Sequence, residues 1–383
     1  MSDESQSRAV IRSARRVLIK AGTSVVANED GHPSLTRLGA IAEQIGELVR
    51  SGVEVIFVSS GAVGMGKRLL RTQNNMQLSF SQLQRNKSGD KLSNELIEEE
   101  EVEHVAHHRR SLRHGSTVKK DHTLSRDSSF LNLFEASVKA NIKKTYDSAC
   151  AAAGQFEMMN LYSNLFSQAD VTLSQLLLTQ IDFQDSQRLA NLSYTVERLL
   201  SLGIVPIINE NDAVSGNMGY VVNEKLTFSD NDGLANLCAR HFDCEVILLL
   251  TDVDGVYDRP PSQAGAKKLA VYNVSDEIEV GSKSKQGRGG MGAKIDSAIS
   301  AVKPGSLVQA CVIAPGKDLN AIRSILGPVH RKEFGPPKGT LFLTPGSELE
   351  SMALEEMYAE IRVSPVVFMG YYDFDIGVYD VQC

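Results

Sequence analysis

The sequence predicts an α/β fold in which helices cover both faces of a mostly parallel β-sheet. Two segments of the chain repeat one order of elements, an amphipathic helix followed by a glycine and an apolar strand. The first segment covers about residues 36–58 around Gly52, and the second covers about residues 185–208 around Gly203. Helices that alternate with apolar strands in this way are typical of parallel sheets, because a crossover helix must return the chain to the edge where the strand began.

The apolar strands of this predicted sheet end in polar residues. The segment GIVPIINENDAV changes from β-branched residues to the run Asn209-Glu210-Asn211-Asp212, and the strand EVILLL runs into TDVDG. Open α/β sheets bind their ligands at the carboxyl ends of their strands, so these polar ends are candidate ligand contacts. Asn and Asp are also ordinary turn residues, and the first segment taken alone is equally consistent with a turn.

Two glycine-containing turns after strands are candidate anion contacts. The first strand, residues 16–20, ends in Lys20 and continues as AGTS, whose backbone N–H groups and hydroxyls suit a phosphate. A lysine at this place is also common as a solvated strand end. The second turn, SSGAVGMGKR, resembles a P-loop up to Lys67, but Arg68 stands where a P-loop has its magnesium-binding Ser or Thr. We therefore expect this turn to contact a phosphate or carboxylate without being a P-loop.

A cationic segment and an acidic segment complete the candidate site. The glycine-rich segment KSKQGRGGMGAK ends at Lys294 and opens a helix, where backbone N–H groups and the lysine form an anion site. A flexible basic loop is the alternative. The segment containing Asp230, Asn231 and Asp232 opens another helix. Its carboxylates and that of Asp212 require solvent, lysines, a metal or a ligand ammonium group between them.

Composition argues against several classes of function. The net charge of −7 and the pI near 5.7 argue against nucleic acid or an anionic membrane as the main partner. No apolar run approaches the roughly 20 residues of a membrane span, and the N-terminus lacks the apolar core of a signal peptide. The five cysteines are scattered, which indicates free thiols in a reducing compartment. The cytoplasm is the expected location.

One internal segment differs in composition from the rest of the chain. Within residues 72–147, the stretch 81–129 is charged, poor in aromatic residues and holds five of the eight histidines, so we expect residues 72–147 to form a solvated, mostly disordered insertion. Three of these histidines, from His104 to His108, have helical spacing, but the surrounding charges and the absence of nearby cysteines do not favour a zinc site. We expect one domain over residues 1–344, interrupted by this insertion, and a tail of unknown structure over residues 345–383.

Taken together, these motifs resemble the amino acid kinase family and, within it, the glutamate 5-kinases. The matches occur in the family's order and cover residues 16–70 and 149–344. They are KAGTSVV, VSSGAVGMGKR, ACAAAGQ, NLSYTVERLLSLGIVPIINENDAV, FSDNDGLA, LLLTDVDGVYD, GRGGMGAK and GTLF. The pairing of NENDAV with SDNDGLA separates the match from the related acetylglutamate, aspartate and uridylate kinases.

The resemblance implies both a fold and a reaction. The fold is a three-layer αβα sandwich around a mostly parallel sheet. The reaction transfers the γ-phosphoryl group of ATP to the side-chain carboxylate of L-glutamate, giving γ-glutamyl phosphate in the first step of proline biosynthesis. The resemblance also implies Mg²⁺ as a cofactor, a homo-oligomer and feedback inhibition by proline.

The resemblance further implies roles for individual residues. Lys20 and Lys294 would flank the transferred phosphoryl group, and Asp232 would hold both ammonium groups in position. Residues that would bind glutamate are Ser60, Gly61, Ala62, Asn209, Asp212, Asp230 and Asn231. Residues that would contact the nucleotide are Lys20, Thr251, Asp252, Arg288, Gly289, Gly290, Met291, Gly292, Ala293 and Lys294.

Two alternatives share these motifs. Another carboxylate or carbamate kinase of the same fold would carry them, and so would a paralogue that binds its ligands without transferring a phosphoryl group. The chain also departs from the family's pattern: Ala21 replaces a bulkier apolar residue, and residues 72–147 replace a region that gives the family helical and oligomer-forming structure. The second departure bears on oligomeric state and proline inhibition more than on the chemistry.

Overall fold

The computed structural model describes residues 11–85, 128–215, 231–272, 291–327 and 338–344. Within these residues the chain forms one eight-stranded sheet. Its strands are β1 (Arg16–Ala21), β2 (Glu54–Ser59), β3 (Leu173–Leu178), β4 (Val205–Glu210), β5 (Val246–Thr251), β6 (Val271–Tyr272), β7 (Ala310–Pro315) and β8 (Thr340–Leu343). They lie side by side in the order β3-β4-β2-β1-β5-β7-β8-β6. The first six strands in this order are parallel, and β8 runs antiparallel to β7. The prediction of a mostly parallel sheet is confirmed.

Helices cover both faces of the sheet. They include α1 (Thr23–Val26), α2 (Leu35–Arg50), α3 (Ala62–Arg85), α4 (Ser128–Ser167), α5 (Gln180–Gln184), α6 (Ser186–Ser201), α7 (Asp212–Ser215), α8 (Asn231–His241), α9 (Met291–Ala301) and α10 (Ala321–Leu326). Apolar residues of α2, α4 and α10 form one buried core with the sheet, and those of α6, α8 and α9 form a second core on its other face. The fold is therefore the expected three-layer αβα sandwich.

The central strand β1 shows how the sequence supplies both cores. Side chains of a strand point alternately to opposite faces. Val17 and Ile19 accordingly lie in the core beneath α2 and α4, whereas Leu18 lies in the core beneath α8. The same alternation places Lys20 on the face of α8, at the carboxyl end of the strand.

The helix starts differ in detail from the sequence predictions. The first helix-strand segment is predicted to start at about residue 36, but α2 already begins at Leu35, with Ser34 in the N-cap position. For α6 the prediction is close: Asp185 is the N-cap, and its carboxylate accepts a hydrogen bond from the backbone N–H of Arg188 at 2.9 Å. This contact satisfies one of the free N–H groups at the start of a helix.

Helices α3 and α4 cross with their backbones in direct contact. A side chain at Gly66 of α3 would overlap the carbonyl oxygen of Cys150, and one at Gly154 of α4 would overlap the carbonyl oxygen of Ala62. Only glycine permits two helices to approach this closely. The small-residue segment ACAAAGQ therefore allows α4 to pack closely against α3.

The expectation of a mostly disordered insertion is wrong for its two ends. Residues 72–85 continue α3, and residues 128–147 form the first half of α4. A helix extends at little cost once a first turn exists, and the crossing of α3 with α4 anchors both helices. Residues 86–127, which include the three histidines considered as a zinc site, lie outside the described residues, as does the tail from residue 345.

Two expectations from composition concern cysteines and membranes. Cys150, Cys238, Cys244 and Cys311, the cysteines within the described residues, are buried and free of disulfides. Among the helices of the described ranges, none has the length and apolar character that crossing a membrane requires.

Candidate active site

The candidate site lies where the carboxyl ends of four neighbouring strands meet. Strands β4, β2, β1 and β5 are adjacent and parallel, so their polar ends share one edge of the sheet. Helix α8 begins at the same edge, because its first residues, Asn231 and Asp232, contact the ends of β2 and β1. Parallel α/β sheets bind ligands at this edge.

Asp232 joins two lysines that are far apart in the sequence. Its Oδ1 lies 2.5 Å from Nζ of Lys20, and its Oδ2 accepts a hydrogen bond from Nζ of Lys294 at 2.9 Å. All three side chains are buried or nearly so, with exposed fractions of 4% for Asp232, 6% for Lys20 and 15% for Lys294. One buried carboxylate thus holds two ammonium groups at the sheet edge, and the trio carries a net positive charge.

The pKa of Asp232 reflects this contact. Burial alone would raise the pKa, but the charges of Lys20 and Lys294 lower it more strongly, to about 2. Asp232 is therefore ionised throughout the physiological pH range. An anion that approached the two ammonium groups would meet the excess positive charge of the trio.

A cluster of amides and hydroxyls lies beside the lysines. The side-chain Nδ2 of Asn231 donates to Oγ of Ser60 at 2.7 Å, to the carbonyl oxygen of Ser59 at 3.1 Å and to Oδ1 of Asn209 at 3.1 Å. Asn209 is buried at the end of β4, and Ser60 directly follows β2. The first turn of α8 therefore ties the ends of two strands together.

Gln155 of α4 belongs to this cluster, although the sequence analysis did not assign it to the site. Its Oε1 accepts a hydrogen bond from Nδ2 of Asn209 at 2.9 Å. Within the described residues, Nε2 of Gln155 and Oδ1 of Asn231 are buried without a hydrogen-bond partner. A buried unpaired polar atom costs roughly 1–3 kcal/mol, so both atoms are positioned for a polar ligand. Gln155 could have been found as the one polar side chain that ends the small-residue motif ACAAAGQ.

Asp212 begins α7, next to the amide cluster. Its backbone carbonyl accepts a hydrogen bond from Oγ of Ser148 on α4 at 3.0 Å. One residue earlier, Asp147 forms an ion pair of 2.7 Å with Lys67 of α3. Helices α3 and α4 thus support the segment that carries Asp212.

Gly61 and Ala62 form the sharp turn between β2 and α3. Gly61 has a φ of 111°, and a Cβ atom at this position would lie only 2.8 Å from Cγ2 of Val26 in α1. Glycine is required both for the left-handed φ and for the close contact. The turn allows α3 to begin at Ala62, which places the first backbone N–H groups of the helix at the site edge.

The residues expected at the nucleotide lie on the other side of the lysines. Thr251 ends β5 and is buried, and its Oγ1 accepts a hydrogen bond from the N–H of Val253 at 3.0 Å, so this hydroxyl stabilises its own turn. Asp252 is exposed. Helix α9 begins with the predicted residues Met291, Gly292, Ala293 and Lys294.

Four predicted site residues lie outside the described residues. They are Asp230, Arg288, Gly289 and Gly290. Their assignments, like the roles proposed for the residues that the structure does place, stay predictions.

The described residues do not form a metal site of their own. No group of three or more His, Cys, Asp or Glu side chains that could hold a metal ion occurs in the part of the chain that the structure describes. Both oxygens of Asp232 already face ammonium groups.

Comparison with known proteins identifies the family. The sequence profile described as the amino acid kinase family matches residues 15–314. Delta-1-pyrroline-5-carboxylate synthase 1 from Oryza sativa subsp. japonica is 36% identical over 338 residues, which are 88% of this chain and 39% of the rice protein. Glutamate 5-kinase from Myxococcus xanthus (strain DK1622) is 30% identical over 358 residues, which are 92% of this chain and 73% of the bacterial protein. Among solved structures, UMP kinase from Bacillus anthracis aligns with 87% of this chain and 98% of its own, with a TM-score of 0.45 and 16% identity.

The match covers the whole described sandwich up to the end of β7. The chain spans less than two fifths of the length of the plant relatives that it matches. The family profile nevertheless covers most of this chain, from just before β1 to Ala314, and it includes Lys20, Asp232 and Lys294. The chain therefore belongs to the amino acid kinase family.

Proposed function

We propose that this chain transfers the γ-phosphoryl group of ATP to the side-chain carboxylate of L-glutamate, giving γ-glutamyl phosphate and ADP, the first step of proline biosynthesis. The observation that carries this proposal is the contact of Asp232 with both Lys20 and Lys294. Two buried ammonium groups beside a cluster of amides and hydroxyls suit a reaction in which negative charge must be neutralised. The names of relatives support the acceptor, since similar chains from two bacteria are glutamate 5-kinases.

The lysines would act on the group in transfer. A carboxylate oxygen of glutamate attacks the γ-phosphorus, a new O–P bond forms while the bond to the β,γ-bridging oxygen breaks, and ADP leaves. This reaction needs little covalent chemistry from the protein, so alignment and charge neutralisation account for the catalysis. Lys20 and Lys294 would stabilise the oxygens of the transferred group, and Asp232 would keep the two like charges in place.

The amide cluster would bind the amino acid. Glutamate carries an ammonium group and two carboxylates, and it therefore needs both acceptors and donors from the protein. The unpaired Oδ1 of Asn231 and Nε2 of Gln155 offer one of each. The carboxylate of Asp212, at the start of α7, suits the ammonium group, and the backbone amides after Gly61 suit a carboxylate.

Magnesium would enter with the nucleotide. Mg²⁺ keeps several waters and is usually held by substrate phosphates with one or two carboxylates. The described residues fit this mode, because they offer no dedicated cage of metal ligands. When bound, the ion would neutralise part of the phosphate charge. Proline inhibition and a homo-oligomer stay expectations from the resemblance, and a cytoplasmic location stays an expectation from composition.

The decisive experiment measures glutamate-dependent release of ADP, with hydroxylamine present to trap the acyl phosphate as its hydroxamate. We expect ADP and γ-glutamyl hydroxamate in equal amounts, and neither product without glutamate. Aspartate, acetylglutamate and carbamate serve as alternative acceptors in the same assay. Faster transfer to one of them would assign a different carboxylate or carbamate kinase. Binding of ATP and glutamate without ADP release would instead indicate an inactive paralogue and contradict the proposal.

A further inference from the structure

We infer that the buried hydroxyl of Tyr162 is a positioning group for the glutamate-binding end of β2 and acts through Ser59. This inference rests on the proposed function and extends it to a residue of the opposite layer. Tyr162 belongs to α4 and packs in the core between that helix and the sheet, and Ser59 is the last residue of β2. Neither residue is among those that the resemblance assigns to substrate or nucleotide.

The contact between the two residues is short and fully buried. Oη of Tyr162 and Oγ of Ser59 lie 2.5 Å apart, and both residues are 0% exposed. The other contacts of the Ser59 hydroxyl are longer: 3.2 Å to the carbonyl oxygen of Ser60 and 3.8 Å to the sulfur of Met158. The tyrosine is thus the main partner of Ser59. Burial raises the pKa of Tyr162, so its hydroxyl stays protonated at every physiological pH.

Ser59 connects this contact to the amide cluster around Asn231. Its backbone carbonyl accepts a hydrogen bond from Nδ2 of Asn231 at 3.1 Å, and the same Nδ2 donates to the hydroxyl of Ser60 at 2.7 Å. Consecutive side chains leave a strand on opposite faces. Ser59 therefore fixes the strand end from the α4 side, while Asn231 holds it from the α8 side. Without the tyrosine hydroxyl, one of these two supports is missing.

The aromatic ring of Tyr162 has a separate packing role. It contacts Phe57 edge-on, with ring centroids 5.9 Å apart, and Phe166, with centroids 6.2 Å apart. The substitution Tyr162→Phe retains these ring contacts and removes the hydroxyl alone. A role in positioning can therefore be separated from a role in packing.

The expected result is a selective loss of glutamate affinity. Tyr162→Phe should raise the KM for glutamate three- to tenfold, as the loss of one buried hydrogen bond implies. The KM for ATP and kcat should change less than twofold, because Lys20 and Lys294 do not depend on this contact. Direct binding of glutamate, measured by calorimetry without ATP, should weaken by the same factor.

A double-mutant cycle tests whether the hydroxyl acts through Ser59. Ser59→Ala, Tyr162→Phe and the double variant should raise the glutamate KM by similar factors, because each removes the same contact. Ser59→Thr, which retains a hydroxyl, should restore most of the affinity. Ser324→Ala is the matched control, since Ser324 is a buried serine of α10 whose hydroxyl donates to the carbonyl oxygen of Ala321, its one partner within the described residues.

Several outcomes would overturn the inference. An unchanged glutamate KM in Tyr162→Phe would exclude a positioning role, and multiplicative effects in the double variant would exclude action through Ser59. An equal rise in the KM for ATP, or an equal effect of Ser324→Ala, would show a general loss of stability instead. Absence of glutamate turnover and glutamate binding in the wild-type chain would refute the proposed function and this inference together.

Discussion

The substitution Asp232→Asn removes the negative charge between the two lysines, and it tests most directly whether the site depends on that charge. The substitution keeps the size of the side chain but leaves Lys20 and Lys294 buried beside each other without a counter-charge. Ionised Asp232 has its pKa lowered from 3.8 to about 2, and at about 1.4 kcal/mol per pH unit this corresponds to about 2 kcal/mol of stability. Repulsion between the unpaired lysines adds to this loss. We therefore expect the free energy of unfolding at pH 7 to fall by about 2–5 kcal/mol.

The pH dependence provides the sharper test. Because the pKa of Asp232 is lowered in the folded state, its contribution is complete above the unfolded pKa near 4 and is lost as the pH falls towards 2. Roughly half of the contribution linked to the pKa should be gone near pH 3. Chemical unfolding of the wild-type chain and of Asp232→Asn at pH 7, 5 and 3 should show a stability difference that shrinks only at the lowest pH.

The matched control is Asp296→Asn, at an exposed aspartate of the same helix that carries Lys294. This control should change stability by less than about 0.5 kcal/mol at pH 7. In the kinase assay Asp232→Asn should lose at least roughly a hundredfold in kcat, because the lysines are no longer held in place. A stability difference that is the same at pH 7 and pH 3, or near-normal kcat, would refute the reasoning.

Three further substitutions separate transfer, binding and stability. Lys294→Ala should abolish turnover in the ADP-release assay, with kcat lowered at least roughly a hundredfold, and retained activity would remove this lysine from the proposed mechanism. Asp212→Ala should raise the glutamate KM roughly tenfold or more while kcat falls only a few-fold, and the opposite pattern in steady-state kinetics would contradict its assignment to binding. Arg323 makes two hydrogen bonds of 2.6 and 2.7 Å to the carboxylate of Glu47, so Arg323→Ala should lower the free energy of unfolding by about 1–3 kcal/mol. Unfolding by denaturant measures that change, and a shift in either KM would speak against a purely structural role.

The sheet was predictable because its signals are local. Apolar runs of the right length predicted the strands, and their polar ends predicted which edge binds a ligand. For the central strand, the period of two in a strand and the position of Lys20 at its end are enough to place the lysine at the edge. The sequence also indicated that the carboxylates near Asp232 needed either solvent or cations, because a buried acidic cluster without cations would be costly.

The helical ends of the insertion were not predictable from composition. Residues 72–85 and 128–147 flank the strongly charged residues 86–127 and were grouped with them, and a charged composition favours disorder when a segment must fold alone. In the folded chain they continue helices that are anchored where Gly66 meets Gly154. An anchored helix grows without a new nucleation step, so tertiary contacts overrode the local signal.

The hydrogen bonds between α4 and the strand ends could not be predicted from the sequence either. The hydrogen bond between Ser59 and Tyr162 joins residues 103 positions apart, and that between Gln155 and Asn209 joins residues 54 positions apart. No local period or motif marks such pairs. They form because α4 packs against the sheet in one position along its own axis. The close contact of its Gly154 with α3 helps to fix that position.

By itself the sequence determined the class of fold and the family, and it predicted the edge of the sheet that carries the candidate site and most of the candidate residues there, because each depends on short patterns along the chain. Only the tertiary structure decided that one carboxylate, Asp232, contacts both Lys20 and Lys294, and that Tyr162 of α4 contacts Ser59 at the end of β2. These features depend on distances between residues far apart in the chain. Such distances follow from the packing of whole elements, which the local sequence does not specify.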